Sequence, residues 1–397
     1  MLRRPLLCVI ALVVAPSVSA CKRSTSDAAG ADDDHGARRT RTSAAAIPRV
    51  VLIRTVDKQQ KIFVASASGN AEPTVAFEGL ALPPRSARAI DGGRALLVHG
   101  KADAATAGDI YRIDVGAIAP STVRVAEGAR GVMLQASADG SAVLLSDNDA
   151  TTKTETLSLM RTNGASKAIE LMKFRYYAGG ELSSDGRVAL LSGTPVSCAT
   201  PPLASCPMEL WRATIDGESA KLEPISIGGS SARYQPRFYR DGGLLGGSTG
   251  VVFQTTENDG SPECAKDLNA CRHDIVLLSD RDLAATPQLL RKGGFGPSLS
   301  PRGDRLAFLS IDDPDTKCTK LPCLTTSLYV GDVEGGAFQR IVAAGVSMLS
   351  NHAWSPDGAW LAFRGPPEPK ESYAKVCRAD GTQCRTLGEG YPQGWIW

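Results

Sequence analysis

Ser355-Pro356-Asp357-Gly358-Ala359-Trp360-Leu361-Ala362-Phe363 reads as a tight turn leading straight into a buried strand. Proline presets the backbone at the first corner, aspartate bonds its own backbone, and glycine accepts the positive φ that other residues resist. Weaker copies stand at Ser300-Pro301-Arg302-Gly303, Ser184-Asp185-Gly186, Ala138-Asp139-Gly140, Asp91-Gly92-Gly93 and Asp241-Gly242-Gly243, each followed by an apolar run. The copies recur about every 46 to 62 residues, in or just beyond the period of propeller blades.

A second series of strand-like runs falls between these phrases, at Lys61–Val64, Asp109–Arg112, Leu157–Met160, Glu209–Arg212, Asp274–Leu277, Ser327–Val330 and Lys375–Arg378. Several lead into a further turn such as Asn163-Gly164, Asp216-Gly217 or Asp380-Gly381. The unit is therefore strand, Asp-Gly turn, strand, long loop, strand, turn, strand. Seven such runs against six turn phrases leave the first unit one strand short. Gly394-Trp395-Ile396-Trp397 is strand-like and supplies the missing partner, or else merely caps the last unit. The expected fold is an all-β propeller of seven four-stranded blades, its first blade closed by the C-terminal strand, a device that removes exposed sheet edges.

The Ser-Pro-Asp-Gly phrase followed by Leu-Ala-Phe resembles the WD40-like repeat of the TolB propeller family, a repeat also found in the propeller domains of prolyl oligopeptidase-like enzymes. The chain departs from TolB in having only a polar segment before the first blade, where that family carries an α/β domain. A role in a Tol-Pal-like envelope assembly is one alternative that the resemblance implies.

Arg3 and Arg4 precede an apolar run from Leu6 to Val18 and a small-residue site at Ser19-Ala20. This is the layout of a secretory signal, too short for a membrane span. Val18-Ser19-Ala20-Cys21 resembles the lipobox of bacterial lipoproteins, which implies a diacylated Cys21 as the mature N-terminus and a membrane contact through its acyl chains. An ordinary cleavage site beside a chance cysteine is the alternative. Lys22 stands where an aspartate would retain a Gram-negative lipoprotein at the inner membrane, so the resemblance implies the cell envelope and its outer membrane. From Lys22 to about Ile47 the composition is that of a disordered tether. Asp32-Asp33-Asp34-His35 within it is a solvated charge run without spaced metal ligands. The expected division is a signal peptide over 1–20, a lipidated tether over 21–48 and a propeller over 49–397.

With 44 basic and 42 acidic residues the chain carries no electrostatic footprint for nucleic acid. Of ten cysteines, Cys8 belongs to the signal and Cys21 to the lipid site. The other eight form four close pairs, Cys198 with Cys206, Cys264 with Cys271, Cys318 with Cys323 and Cys377 with Cys384. In an exported chain such pairs are disulfide candidates, and the zinc or redox alternatives lack the ligand set and the Cys-x-x-Cys spacing.

No catalytic residue, metal or cofactor is indicated. The aspartates and glycines of the repeated turns (Asp91, Gly92, Asp139, Gly140, Asp185, Gly186, Asp241, Gly242, Pro301, Gly303, Pro356, Asp357 and Gly358) are explained by turn chemistry. His99, His273 and His352 are the histidines of the blade region. We expect His99 at a loop base, His273 at the surface and His352 in an inner strand near the channel. Asp147-Asn148-Asp149 lacks the rest of a calcium loop. The connections between second and third strands lengthen near Ser192–Pro207, Thr255–Arg272, Ser310–Thr326 and Arg364–Ser372, all on the face opposite the Asp-Gly turns. Insertions on one face of a repeat array point to binding there. The expected function is a monomeric, lipid-anchored binding or scaffolding module for a protein, peptide or envelope polymer. A propeller hydrolase or lyase with channel-lining residues is the alternative.

Overall fold

The computed structural model describes residues 47–69, 72–77, 87–100, 108–115, 121–164, 167–198, 208–225, 232–239, 250–257, 272–279, 286–310, 325–347, 352–365 and 373–397. Strands β1 (Arg49–Val56), β2 (Gln59–Ser66) and β3 (Thr74–Phe77) belong to the first blade. The second is β4 (Ala87–Ile90), β5 (Ala95–Gly100), β6 (Gly108–Asp114) and β7 (Ser121–Ala129). In the third, β8 (Val132–Ala136), β9 (Ala142–Asp149) and β10 (Thr154–Arg161) lead into the long β11 (Ile169–Leu182). The first half of β11 pairs with β10, and its second half opens the fourth blade against β12 (Val188–Pro195). That blade continues with β13 (Glu209–Asp216) and β14 (Ser219–Pro224), so the third and fourth blades share one seven-stranded sheet.

The fifth blade is β15 (Ala232–Tyr239), β16 (Gly250–Glu257), β17 (Arg272–Ser279) and β18 (Gln288–Lys292). The sixth is β19 (Gly294–Leu299), β20 (Arg305–Ser310), β21 (Thr325–Asp332) and β22 (Phe338–Ser347). The seventh is β23 (Ala353–Trp354), β24 (Trp360–Arg364), β25 (Tyr373–Arg378) and β26 (Arg385–Glu389). Finally β27 (Tyr391–Ile396) returns antiparallel to β1 as the inner strand of the first blade. The seven inner strands touch in a closed circuit, β27 to β4, β8, β11, β15, β19, β23 and back to β27.

Hydrophobic packing explains the apolar run in the second strand of each blade, such as Val50–Ile53, Ala142–Leu145 and Val251–Phe253. Leu96 and Val98 of β5 pack toward the first blade, while Ala95 and Leu97 pack toward the third. In β24, Leu361 and Phe363 face the sixth blade and Ala362 faces the first. A strand buried on both faces reads as continuous apolar sequence. The described core comprises seven clusters, each shared by two adjacent blades. Each blade therefore folds against its neighbours.

The repeated turn is held by a serine that the Asp-Gly pattern hides. Ser137, Ser183 and Ser355 each donate from Oγ to the aspartate two residues on, Asp139, Asp185 and Asp357. Each hydroxyl also accepts the amide five residues on, from Ala142 (3.0 Å), Val188 (2.9 Å) and Trp360 (2.9 Å). Gly140, Gly186 and Gly358 sit at φ of 72°, 65° and 69°, where only glycine is unstrained. In the sixth blade Arg302 occupies the aspartate position, and Asp304 takes over the bond from Ser300 Oγ at 2.7 Å. That bond holds the Asp304 carboxyl below its usual range. Burial would raise Asp139, yet bonds from Ser137 and Ser141 together leave it lowered as well. Groups lowered on folding stabilise above their unfolded pKa and lose that contribution as pH falls through the folded value. The Asp241-Gly242 turn lies outside the described residues. Ser355 is fully buried, and Ser355→Ala is expected to cost about 1–3 kcal/mol, because the Trp360 amide loses its acceptor. A urea midpoint unchanged from wild type would refute this role.

Candidate functional site

The histidines do not converge. His99 lies within β5 and is fully buried, packed against Gly108. His273, expected at the surface, is 5% exposed, where it joins a network between the fifth and sixth blades. The Gly296 amide donates to Gln254 Oε1 at 3.0 Å, which fixes the amide orientation. Gln254 Nε2 then donates to His273 Nδ1 at 3.0 Å, so this ring nitrogen is the acceptor and the proton sits on Nε2. Thr256 Oγ1 lies 3.0 Å from the same nitrogen.

His352 precedes β23 and is 8% exposed. Its Nε2 lies 3.2 Å from the Ala307 carbonyl of the sixth blade, so Nε2 carries the proton. Nδ1 has no hydrogen-bond partner among the described residues. Burial pushes the imidazole down to about 4, with a further lowering by the charge of Arg237. Among the described residues no three His, Cys, Asp or Glu side chains are placed to share a metal ion.

Asp149, at the end of β9, accepts the Thr151 amide (2.8 Å) and the Thr152 hydroxyl (2.8 Å), so its carboxylate closes its own turn. Cys377 and Cys384 are joined by a disulfide across the turn between β25 and β26, on the side of the blade that carries the Asp-Gly turn. Cys198 is also disulfide-bonded. Cys206, Cys264, Cys271, Cys318 and Cys323, like Cys21, lie outside the described residues.

The polar residues that do share a location are on the propeller axis. Ser137, Ser183, Ser300 and Ser355 open the turns, and the residues two positions earlier are Gln135, Glu181, Ser298 and Ala353. These pair with Leu144, Leu190, Ala307 and Ala362, each directed toward the next blade. By the same register the second blade contributes Arg88 opposite Leu97, the fifth Arg237 opposite Val252 and the first Gly394 opposite Val51. A register irregularity precedes or adjoins this position on β8, β11, β15, β19 and β27. Bulges of this kind re-aim side chains and free backbone groups from the ladder.

Neighbouring blades take up those backbone groups. Arg88 donates to the Leu134 carbonyl from Nε at 3.0 Å and Nη2 at 2.7 Å, and to Gln393 Oε1 from Nη1 at 3.3 Å. Trp354 Nε1 donates to Ser298 O at 3.1 Å, and Trp395 Nε1 to Ala353 O at 2.9 Å. Arg237 forms an ion pair with Glu181 at 3.8 Å, both about one-quarter exposed. Tyr391, 49% exposed, lies two residues before Gln393 on β27 and carries the Arg364 guanidinium 4.8 Å from its ring centre. Sequence reading missed this axial set because no linear motif joins it. The residue two places before each turn phrase was the available signal.

No family model and no curated protein matches the sequence. Similar solved structures are β-propellers. An oligogalacturonate lyase in complex with manganese is 12% identical, with a TM-score of 0.58, over 83% of this chain and 85% of that one. The propeller domain of the Trilobed protease from Pyrococcus furiosus, described as having an open velcro topology, is 13% identical at a TM-score of 0.51 over 79% and 85%. TolB from Acinetobacter baumannii is 13% identical over 87% and 82%, with a TM-score of 0.49. At these identities the likeness establishes one point, that this chain is folded as a β-propeller.

Proposed function

We propose that the chain is a lipid-tethered, extracytoplasmic propeller that binds a protein, peptide or envelope polymer on the face opposite its Asp-Gly turns. One observation carries the reading. The connections after β12, β16 and β20 span residues 196–208, 258–271 and 311–324, whereas those after β1, β5, β9 and β24 span only 57–58, 101–107, 150–153 and 365–372. An antiparallel meander sends all of these connections to one face, and lengthening confined to consecutive blades builds one continuous rim. His99, His273 and His352 are all buried, which supports binding over catalysis by these residues. Cys21 supplies the anchor, and the cell envelope, with its outer membrane, is the compartment proposed.

Affinity capture from native envelope should compare the full chain with a variant in which residues 199–206, 259–270 and 312–323 are replaced by short Gly-Ser links. Specific partners should disappear from the variant while its circular dichroism is unchanged. Identical partner sets in both would overturn the reading, and turnover of a captured polymer would favour the lyase or hydrolase alternative.

A further inference from the structure

A cleft of about 490 Å³ lies between the first and seventh blades. Ala65, Gly69, Glu72 and Pro73 line it from the first blade, and Thr386, Leu387 and Gly388 of β26 line it from the seventh. That volume suits a small ligand. Two guanidinium groups stand against the glycines of the lining. A methyl group at Gly69 would lie 3.2 Å from Arg385 Nη1, and one at Gly388 would lie 2.9 Å from Arg54 Nη2, so glycine is what lets both arginines reach the cleft wall.

Arg54 donates to the Leu387 carbonyl at 3.2 Å, while its buried Nε has no partner among the described residues. The Arg385 guanidinium stacks 5.8 Å from the Trp360 ring centre and makes no hydrogen bond or ion pair with the described residues. Glu72 is exposed, and no described basic group lies within ion-pair distance of it. Its charge still reaches Arg54, where burial lowers the guanidinium and the charges of Glu389 and Glu72 oppose that lowering. Opposite charges therefore border one cleft without pairing directly. Cys384, bonded to Cys377, immediately precedes Arg385, so the disulfide holds the end of the strand that carries the guanidinium.

We propose that this cleft binds the two termini of a short peptide, its carboxylate on Arg385 and its ammonium group on Glu72. A planar guanidinium matches a carboxylate through parallel N–H bonds, and Glu72 supplies the acceptor for the ammonium group. A simple anion or a simple cation would satisfy one wall and be repelled by the other, so the arrangement selects a zwitterion. Stacking on Trp360 and the neighbouring disulfide restrain Arg385, which reduces the entropy lost on binding. Gly69 and Gly388 also bring the main chain of both blades to the cleft surface. None of these residues belongs to the long connections of the loop rim, so the site stands apart from capture there.

The test is isothermal titration of the purified full-length chain with trialanine and with trialanine blocked by N-terminal acetylation and C-terminal amidation. Free trialanine should bind, and the blocked peptide should bind about tenfold more weakly or less, as expected when charged contacts are lost. Glu72→Gln and Arg385→Gln should each weaken binding of free trialanine by a similar factor. N-acetyl-trialanine, which lacks the ammonium group, should bind wild type and Glu72→Gln equally. Circular dichroism and the urea midpoint identify any variant that fails to fold. Should Arg385→Gln do so, Glu72→Gln decides, because the exposed Glu72 has no ion pair to lose. Failure of trialanine to bind at millimolar concentration, equal affinity for the blocked peptide, or wild-type affinity in the folded variants would overturn the assignment.

Discussion

Replacement of Trp395 by alanine is expected to cost about 3–5 kcal/mol, the range for truncating a large buried aromatic side chain. Trp395 is 2% exposed and packs with Val50, Leu52, Phe63, Trp360 and Leu387 in the core between the seventh and first blades. Its indole nitrogen donates to the Ala353 carbonyl of the seventh blade, so one side chain both fills the seam and latches it. The ring has seven such interfaces, and this one joins the first blade to the seventh. Urea unfolding should show a lower midpoint with little change in slope. Removal of residues 391–397 goes further, because β1 then loses its partner along Arg49–Ile53. An unpaired edge of this kind recruits other chains, so the truncated protein should associate in a concentration-dependent way. A Trp395→Ala protein less than about 1 kcal/mol destabilised would show that the seam is sealed elsewhere.

Acidification from pH 7.5 to 4.5 should remove about 2.5 kcal/mol of stability through His352 alone, on the linkage between its folded and unfolded pKa values. The imidazole is held neutral at a pKa of about 4, against 6.5 when free. Below 6.5 the unfolded chain takes up a proton that the folded chain refuses, so the unfolded state gains and stability falls as pH falls. The loss begins near the unfolded value and levels off below the folded one. His352→Gln retains a donor for the Ala307 carbonyl and removes the titration. Urea midpoints at the two pH values should therefore differ less in the variant than in wild type, by about that amount. Equal differences in the two proteins would show that His352 is not buried in its neutral form. Lowered carboxylates such as Asp304 act at lower pH and in both proteins alike.

Much of the architecture is legible in the sequence because local chemistry and global fold agree. Turn residues, an apolar second strand and a seven-fold count lead to four-stranded blades, and the unmatched first unit points to Trp395 and Ile396 as its missing strand. The serine circuit was half legible: Ser355 stands in the quoted phrase, but nothing in a single copy shows that its hydroxyl serves both Asp357 and the Trp360 amide. His273 was misplaced because its position beside Cys271 in the sequence gives no sign of Gln254 and Thr256, which reach it only once β16 lies against β17.

The sequence by itself determined the repeat, the strand order within a blade and the turn chemistry, since each depends on residues a few positions apart. Tertiary structure decided which blades share a core, how the ring closes and which side chains meet on the axis. Those outcomes depend on pairs such as Arg88 with Gln393 and Arg237 with Glu181, which are brought together only by the curvature of the closed ring.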